Sequence, residues 1–449
     1  MTTEQAVPAT ADHTAALSAR SAGLRYGALF GPAVFGVTAA GVALPDVARA
    51  LDATPAAAAW VLTAHALALG VGTALFGRLA DSRGIRASLL LGSLVLAVGT
   101  VICLAAPDIT TLVAGRFVLA AGSGAMTSGA LALSASAAPA DRPQVLGGFG
   151  ATMAVFSASA TLAGGVFTQW VTWRITLVLP ALSLLAVPLC LRAAAARKGS
   201  GRALDLPGAL LLTVAAMSFL VLIQSYALGL SAVPVIGLAV ALLVSGAGLL
   251  LRVRAVQASF VPRRLVTDGA FLRASATGIG VYAGLFAAMY AVPQILVGEH
   301  GWSVLAVGAW LLPGAAVGAV LSRTAGRLTG GRGGSLLLSG IAAAMAVVLA
   351  LCAVPDHPAP AVIGASLGFA AFAVTQVITT ALMSARIEPA LRGGAMGLLN
   401  LTFFVGGGVG SATAGALVKS MSLTDLLAVV AVFPLVGALA ALTLGRRDG

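Results

Sequence analysis

Charge is scarce in this chain of 449 residues. Asp, Glu, Lys and Arg together supply 9% of it, where a soluble protein carries roughly a quarter, so a water-facing surface cannot be covered. Acidic groups are the scarcer kind: all fourteen fall in loops, termini or helix ends, and none lies clearly inside an apolar run. The three cysteines, Cys103, Cys190 and Cys352, sit within apolar segments, which favours packing over a disulfide framework. No phosphate-binding signature or dinucleotide fingerprint is present, so nucleotide-driven chemistry is not expected. Acid/His clusters and metal-ligand spacings are missing too, so neither enzyme activity nor a metal or other cofactor is expected. No Lys/Arg cluster is interleaved with aromatics, which argues against nucleic acid as a partner. Residues 1–23 lack a basic start followed by an apolar core. A cleaved signal peptide is therefore not expected, and the first spanning helix should itself direct insertion.

What the chain has is hydrophobicity, at 59% of residues. Apolar runs near 20 residues long recur from Tyr26 to Leu444, each long enough to cross about 30 Å of hydrocarbon as a helix. Backbone groups in lipid must be bonded within their own segment, so helices are expected, and the alternating pattern of barrel strands is absent. Charges and Pro/Gly turns mark fourteen spans: 26–45, 58–76, 87–106, 109–136, 145–167, 175–193, 207–229, 233–251, 270–295, 303–322, 334–354, 359–382, 393–417 and 424–444. The fold class is an all-α membrane protein.

The basic residues give an independent check. With the N-terminus in the cytoplasm, 22 of 26 fall on the cytoplasmic side; Arg49, Arg174 and Lys419 fall outside, and Arg116 alone is left within a span. One missed helix would invert every later loop. The asymmetry thus supports an even number of spans in the cell membrane, with both termini cytoplasmic.

Residues 77–84 read GRLADSRG, and residues 326–333 read GRLTGGRG, 249 positions further on. Pro139-Ala140-Asp141-Arg142 is echoed by Pro389-Ala390-Leu391-Arg392 at an offset of 250. Two matches at nearly one spacing, both cytoplasmic, indicate parallel repeats about an axis along the membrane normal. The shift covers eight spans, so two extra helices should separate two six-helix halves. The expected division is a tail (1–25), a first bundle (26–193), a loop (194–206), an extra pair (207–251), a loop (252–269), a second bundle (270–444) and a tail (445–449).

GRLADSRGIR at 77–86 resembles the signature loop of the major facilitator superfamily, with Gly77, Asp81, Gly84 and Arg86 at its spacing. AWVLTAHALALGVGTALFGRLAD at 59–81 is similar to the second helix of its drug:proton antiporters, and VALPDVARAL at 42–51 to the end of their first helix. DLPGALLL at 205–212 and VPRRL at 261–265 resemble the flanks of the extra pair in the fourteen-span branch. The resemblance implies two six-helix bundles plus two extra helices. It also implies a secondary transporter that exports small drug-like or secondary-metabolite compounds by alternating access, in exchange for protons. Such a protein would work as a monomer in the lipid bilayer. Some family positions differ. Gly36 stands where the first helix often carries an acid, Leu119 and Ala120 replace Gln and Gly after Arg116, and Ala160-Thr161 replaces Gly-Pro. Transport without proton coupling or coupled to another ion, and a transporter-shaped sensor or assembly protein, stay open as alternatives.

Arg116 needs a polar partner or a wet cavity; it is either a cavity cation or an Arg snorkelling from a helix end. Asp46, at the outer end of the first span, and His65, in the second, are the candidates for carrying a proton, since imidazole titrates near neutral pH. Either one can equally be an ordinary helix residue. By resemblance, Asp81 docks on the start of the thirteenth span near Gly393 as a latch for the outward-open state, with Gly77, Arg83, Gly84 and Arg86 completing the loop. Gly330 replaces this Asp in the second copy. In the family fold, Trp60, Met153, Phe156, Tyr290, Gln294, Trp310, Gln376 and Asn400 are candidates for lining a substrate cavity, where aromatic and Met surfaces suit apolar cargo.

Overall fold

The computed structural model describes residues 9–138, 140–196, 199–201, 203–256, 259–328, 332–353, 357–387 and 392–444. Among them there is no strand, and fourteen helices are long and apolar enough to cross a membrane. In chain order they are α1 Ser18–Ala50, α2 Pro55–Arg83, α3 Ile85–Ala105, α4 Ile109–Ala135, α5 Gly147–Trp170, α6 Trp173–Ala195 and α7 Leu206–Gln224. The second set comprises α8 Ala232–Ala255, α9 Gly269–Glu299, α10 Val304–Ser322, α11 Arg332–Ala353, α12 Ala359–Met383, α13 Gly394–Leu417 and α14 Leu423–Leu442. The number of spans matches the expectation, and the bounds agree within a few residues except that α1 starts earlier and runs to Ala50, α2 continues through most of the expected loop to Arg83, and α7 ends at Gln224, short of 229.

Local signals set the helix ends. Thr54 caps α2 through the Ala57 N–H with Pro55 in the first turn, and Asp108 caps α4 through the Thr111 N–H at 2.9 Å. Between α2 and α3 the chain turns on Gly84 alone, at φ 95°, a left-handed conformation that favours glycine. Inside α1, Gly31–Gly36 tightens into a 3₁₀ turn with Pro32 near its start before the α-helix resumes at Thr38.

Two seams join the halves. Along the whole length of α2 and α13, Gly397 lies against Ala74 near the Arg-rich end, and Thr63 Oγ1 meets Ser411 Oγ at 2.8 Å toward the other. A second seam brings α5 to α10, where a Cβ on Gly308 would come within 2.4 Å of the Thr161 carbonyl oxygen. Small residues are what permit such close helix contact without a hydrophobic drive between helices.

The extra pair is asymmetric. Ala216 and Leu220 of α7 pack on Leu67 of α2 and Ala412 of α13, so α7 lies across the first seam. On α8 only Ser245 is buried, and Val233, Leu243 and Leu251 face outward, as a lipid-facing helix requires.

Candidate functional site

A cavity lies between the halves. Phe30, Val34, Val37 and Thr38 of α1 form one wall, with Leu69, Thr127 and Ser157 from α2, α4 and α5. The facing wall carries Phe369, Phe372 and Gln376 of α12, with Leu285, Ala315 and Phe404 from α9, α10 and α13. No lining side chain is charged. The open volume is ≈ 30 Å³, room for one or two waters and far below what a drug-sized molecule fills.

Beside the cavity, but sealed from it, lies a cluster on the first half. Arg116 is fully buried. Its guanidinium donates to the carbonyl oxygens of Leu177 at 2.7 Å, Val61 at 3.4 Å and Gly36, so backbone from α6, α2 and α1 meets on one cation. The 3₁₀ turn in α1 brings the Gly36 carbonyl to that position. His65 is also fully buried, and neither ring nitrogen has a hydrogen-bond partner among the described residues. A Cβ on Gly36 would come within 2.1 Å of its Nε2. The imidazole therefore fills the space that a side chain at position 36 would need.

At the Arg-rich end, the Asp81 carboxylate accepts the backbone N–H of Gly394 at the start of α13. A carboxylate is favoured there by the positive end of the helix. Arg78 Nη2 donates to the Ser259 and Phe260 carbonyls at 2.7 and 3.0 Å, while Arg83 and Arg86 are exposed. At the opposite end, a vestibule of ≈ 600 Å³ is bordered by Asp46, Arg49, Gln169, Trp173, Trp302 and Val304. Tyr290 Oη donates to the Pro55 carbonyl at 2.9 Å across the halves there.

The Major Facilitator Superfamily pattern matches residues 27–411, most of the chain. The chain belongs to the major facilitator superfamily. It is thus a multi-pass membrane protein from a family of transporters. The puromycin resistance protein of Streptomyces alboniger is 32% identical to it over 402 residues, 84% of this chain and 77% of that one. The multidrug resistance protein Stp of Mycobacterium tuberculosis is 26% identical over 394 residues, covering 84% and 72% of the two chains. An uncharacterized MFS-type transporter of the same organism is 29% identical, over 91% of this chain and 62% of its own.

The facilitator's cavity draws on few of the residues expected there from sequence. Gln376 lines it, and its Nε2 donates to Asn400 Oδ1 at 2.9 Å, which places Asn400 directly behind. Phe156 packs edge-on against Phe35 at 5.5 Å, one layer out, and Met153 is half-buried against the core. The others lie elsewhere. Trp310 is 62% exposed, its ring 6.0 Å from Trp302, so it faces out of the bundle and not into a cavity. Trp60 packs beside α7, Tyr290 belongs to the seam, and Gln294 folds back onto the Tyr290 carbonyl at 2.6 Å. Arg116 touches carbonyls and not the cavity. Asp46 pairs with Arg49 at the vestibule, away from Arg116. Sequence reasoning passed over Phe30, Phe369, Phe372 and Phe404. The spacing of Phe369, Phe372 and Gln376 puts them on one helix face, and that was the available signal. Of the second copy of the signature loop at 326–333, residues 329–331, Gly330 included, lie outside the described residues, as do Pro389 to Leu391 of the second echo. Among the described residues no His/Cys/Asp/Glu group has the makings of a metal site.

Proposed function

We propose that the protein exports small apolar compounds bearing aromatic groups from the cytoplasm across the cell membrane, by alternating access, in exchange for protons, and acts as a monomer. The observation that carries this is the uncharged cavity between the halves, walled by Phe30 on one side and by Phe369, Phe372 and Phe404 on the other. Such a cavity binds cargo by burying aromatic surface, with Thr38, Thr127, Ser157 and Gln376 as its polar handles. Because the walls nearly touch, cargo enters only if the halves part. Relatives named for puromycin and multidrug resistance support drug-like cargo, and the charge bias supports cytoplasmic termini.

For the proton, His65 is the carrier that the packing favours. In this conformation the ring is fully buried, with neither nitrogen hydrogen-bonded among the described residues. As the halves move and water reaches the ring, the imidazole takes up a proton and later releases it. Arg116 steadies the junction of α1, α2, α4 and α6, and Asp46 is the second proton candidate, at the vestibule. A reading without proton exchange draws its support from position 36, which carries no acid, and from a cavity that carries none either.

The test is transport by the purified protein in vesicles, using puromycin and a neutral aromatic dye. Movement driven by an imposed pH gradient and lost with an uncoupler supports antiport. Gradient-independent movement supports the second reading, and no movement of either compound by folded protein rules out export of this cargo class. Thiol labelling at Ser231 and Arg202 on opposite sides of the membrane checks the orientation.

A further inference from the structure

Both connections that flank the extra helix pair end on the signature turn. On the way in, Ser200 N–H donates to the Asp81 carbonyl at 2.8 Å and Gly201 N–H to the Ser82 carbonyl at 2.9 Å. On the way out, the Ser259 and Phe260 carbonyls accept from Arg78. Phe260 is gripped from its other side as well, because its N–H donates to Asp205 Oδ2 at 2.7 Å. Oδ1 of the same carboxylate accepts from Gly208 N–H at 3.0 Å, capping α7, and from Arg252 Nε of α8 at 2.5 Å.

A helix cap needs one such bond. Asp205 makes two more, one to a residue 55 positions along the chain and one to the neighbouring helix. Its side chain is 5% exposed, so the charge is shielded from water and its bonds are of the strong, charge-assisted kind. Fit around it is tight: a Cβ on Gly208 would come within 2.3 Å of Oδ2 and 3.0 Å of the Phe260 Cβ. A single peptide is thereby held between Asp205 and Arg78, and Arg78 stands one helical turn from Asp81, which is docked on α13.

The geometry points to Asp205 as a positioning residue for the gate at the Arg-rich end: with Arg252 it fixes the Phe260 peptide for Arg78, so that the extra helix pair straps the signature turn in its docked state. This rests on the alternating-access reading, because a strap matters to transport only if the seam opens. It also assigns the pair a task that six-helix halves leave undone. The carboxylate ties α7 and α8 to the loop entering the second half, and Arg78 ties that loop to the first half.

The experiment follows the seam itself. Ala74 of α2, buried against α13 beside Gly397, is replaced by Cys after Cys103, Cys190 and Cys352 are removed. Its labelling by an impermeant maleimide is timed from the Arg-rich side in the full-length protein. Asp205→Ala should raise the labelling rate about tenfold, the change expected when a charge-assisted bond is lost from a two-state latch. Asp205→Asn should fall between that variant and the parent, and Arg252→Lys should stay nearer the parent than Arg252→Ala. Arg254→Ala, on the same helix but exposed, should change nothing. If Asp205→Ala folds poorly, Arg78→Gln loosens the same peptide from the opposite side and should open the seam alike. Unchanged labelling in folded Asp205→Ala or Arg78→Gln overturns the strap, whether or not transport falls. Labelling of the parent that ignores cargo and pH gradient counts against alternating access instead, and the two failures are separable.

Discussion

The two halves of this facilitator bury their polar groups in opposite ways. In the first half, Arg116 and His65 are packed among backbone carbonyls and helix interiors, out of reach of the cavity. In the second, Gln376 and Asn400 form a neutral amide pair whose outer member lines the cavity among phenylalanines. A buried cation must be fully solvated by protein, which binds its neighbours rigidly together. A neutral amide can trade one partner for another at small cost, as a changing cargo demands. Under the proposed function the two chemistries are kept apart: the buried ionisable pair lies outside the cavity, whose polar handles, Thr38, Thr127 and Ser157 of the first half and Gln376 of the second, are all neutral.

The largest effect is expected at Arg116. Arg116→Ala removes the cation on which the Gly36, Val61 and Leu177 carbonyls converge and leaves a buried void, and should cost about 3 kcal/mol of stability and abolish transport. Arg116→Lys keeps the charge without the planar fork and should recover part of both. Thermal unfolding in detergent, paired with vesicle transport, measures the two effects. Full activity in Arg116→Ala would refute the role of this residue.

A narrower intervention exchanges the groups at positions 36 and 65. His65→Ala should uncouple transport from the pH gradient while leaving cargo binding within about twofold of the parent, because the ring lies outside the cavity. Gly36→Asp alone should fail, since the imidazole fills the required space. The pair Gly36→Asp with His65→Ala should regain gradient-driven movement. Proton flux with a pH-sensitive dye reads the outcome, and gradient-driven transport by His65→Ala alone would remove His65 from the pathway.

On the opposite wall, Phe372→Ala should weaken binding of aromatic cargo about tenfold with little effect on proton coupling. Gln376→Ala should shift preference among cargoes by less. Equilibrium binding across a set of aromatic compounds distinguishes these from a general loss of fold.

The smallest effect concerns acid and the strap. Burial pushes the Asp205 carboxyl up, but the Phe260 amide, Arg252 and the Gly208 amide outweigh it and hold it below the ordinary 3.8. A carboxyl lowered in the folded state contributes stability above its unfolded value and loses it only as pH falls through the lower, folded one. Ala74→Cys labelling should therefore show no strap-dependent change between about pH 7 and pH 5. A steep rise in that window would mean that another group holds the seam.

Much of the architecture was legible in advance. Fourteen spans follow from runs of apolar residues, and Asp81 meets the start of α13 where the family resemblance placed it. The site was less legible. Trp310 and Gln376 both occupy helices next to the cavity, yet one faces out and the other in. That choice depends on how each helix is rotated, which a nearly uniform apolar sequence leaves unmarked. Arg116 looked like a cavity charge because its partners are carbonyls, and every residue has a carbonyl. The motifs at 77–86, 205–212 and 261–265 were each recognisable, but nothing in their order along the chain said that they meet.

By itself, then, the sequence determined class, span number and the candidate polar residues. These depend on composition summed over about 20 residues and on charges flanking each span, quantities that need no knowledge of neighbours. The tertiary structure alone decided that His65 excludes a side chain at Gly36, that three helices share Arg116, and that Asp205 reaches the signature turn through Phe260. Each of these is a contact between distant segments, fixed by helix rotation and close approach at small residues. In a chain apolar on nearly every face, only packing selects which face turns inward.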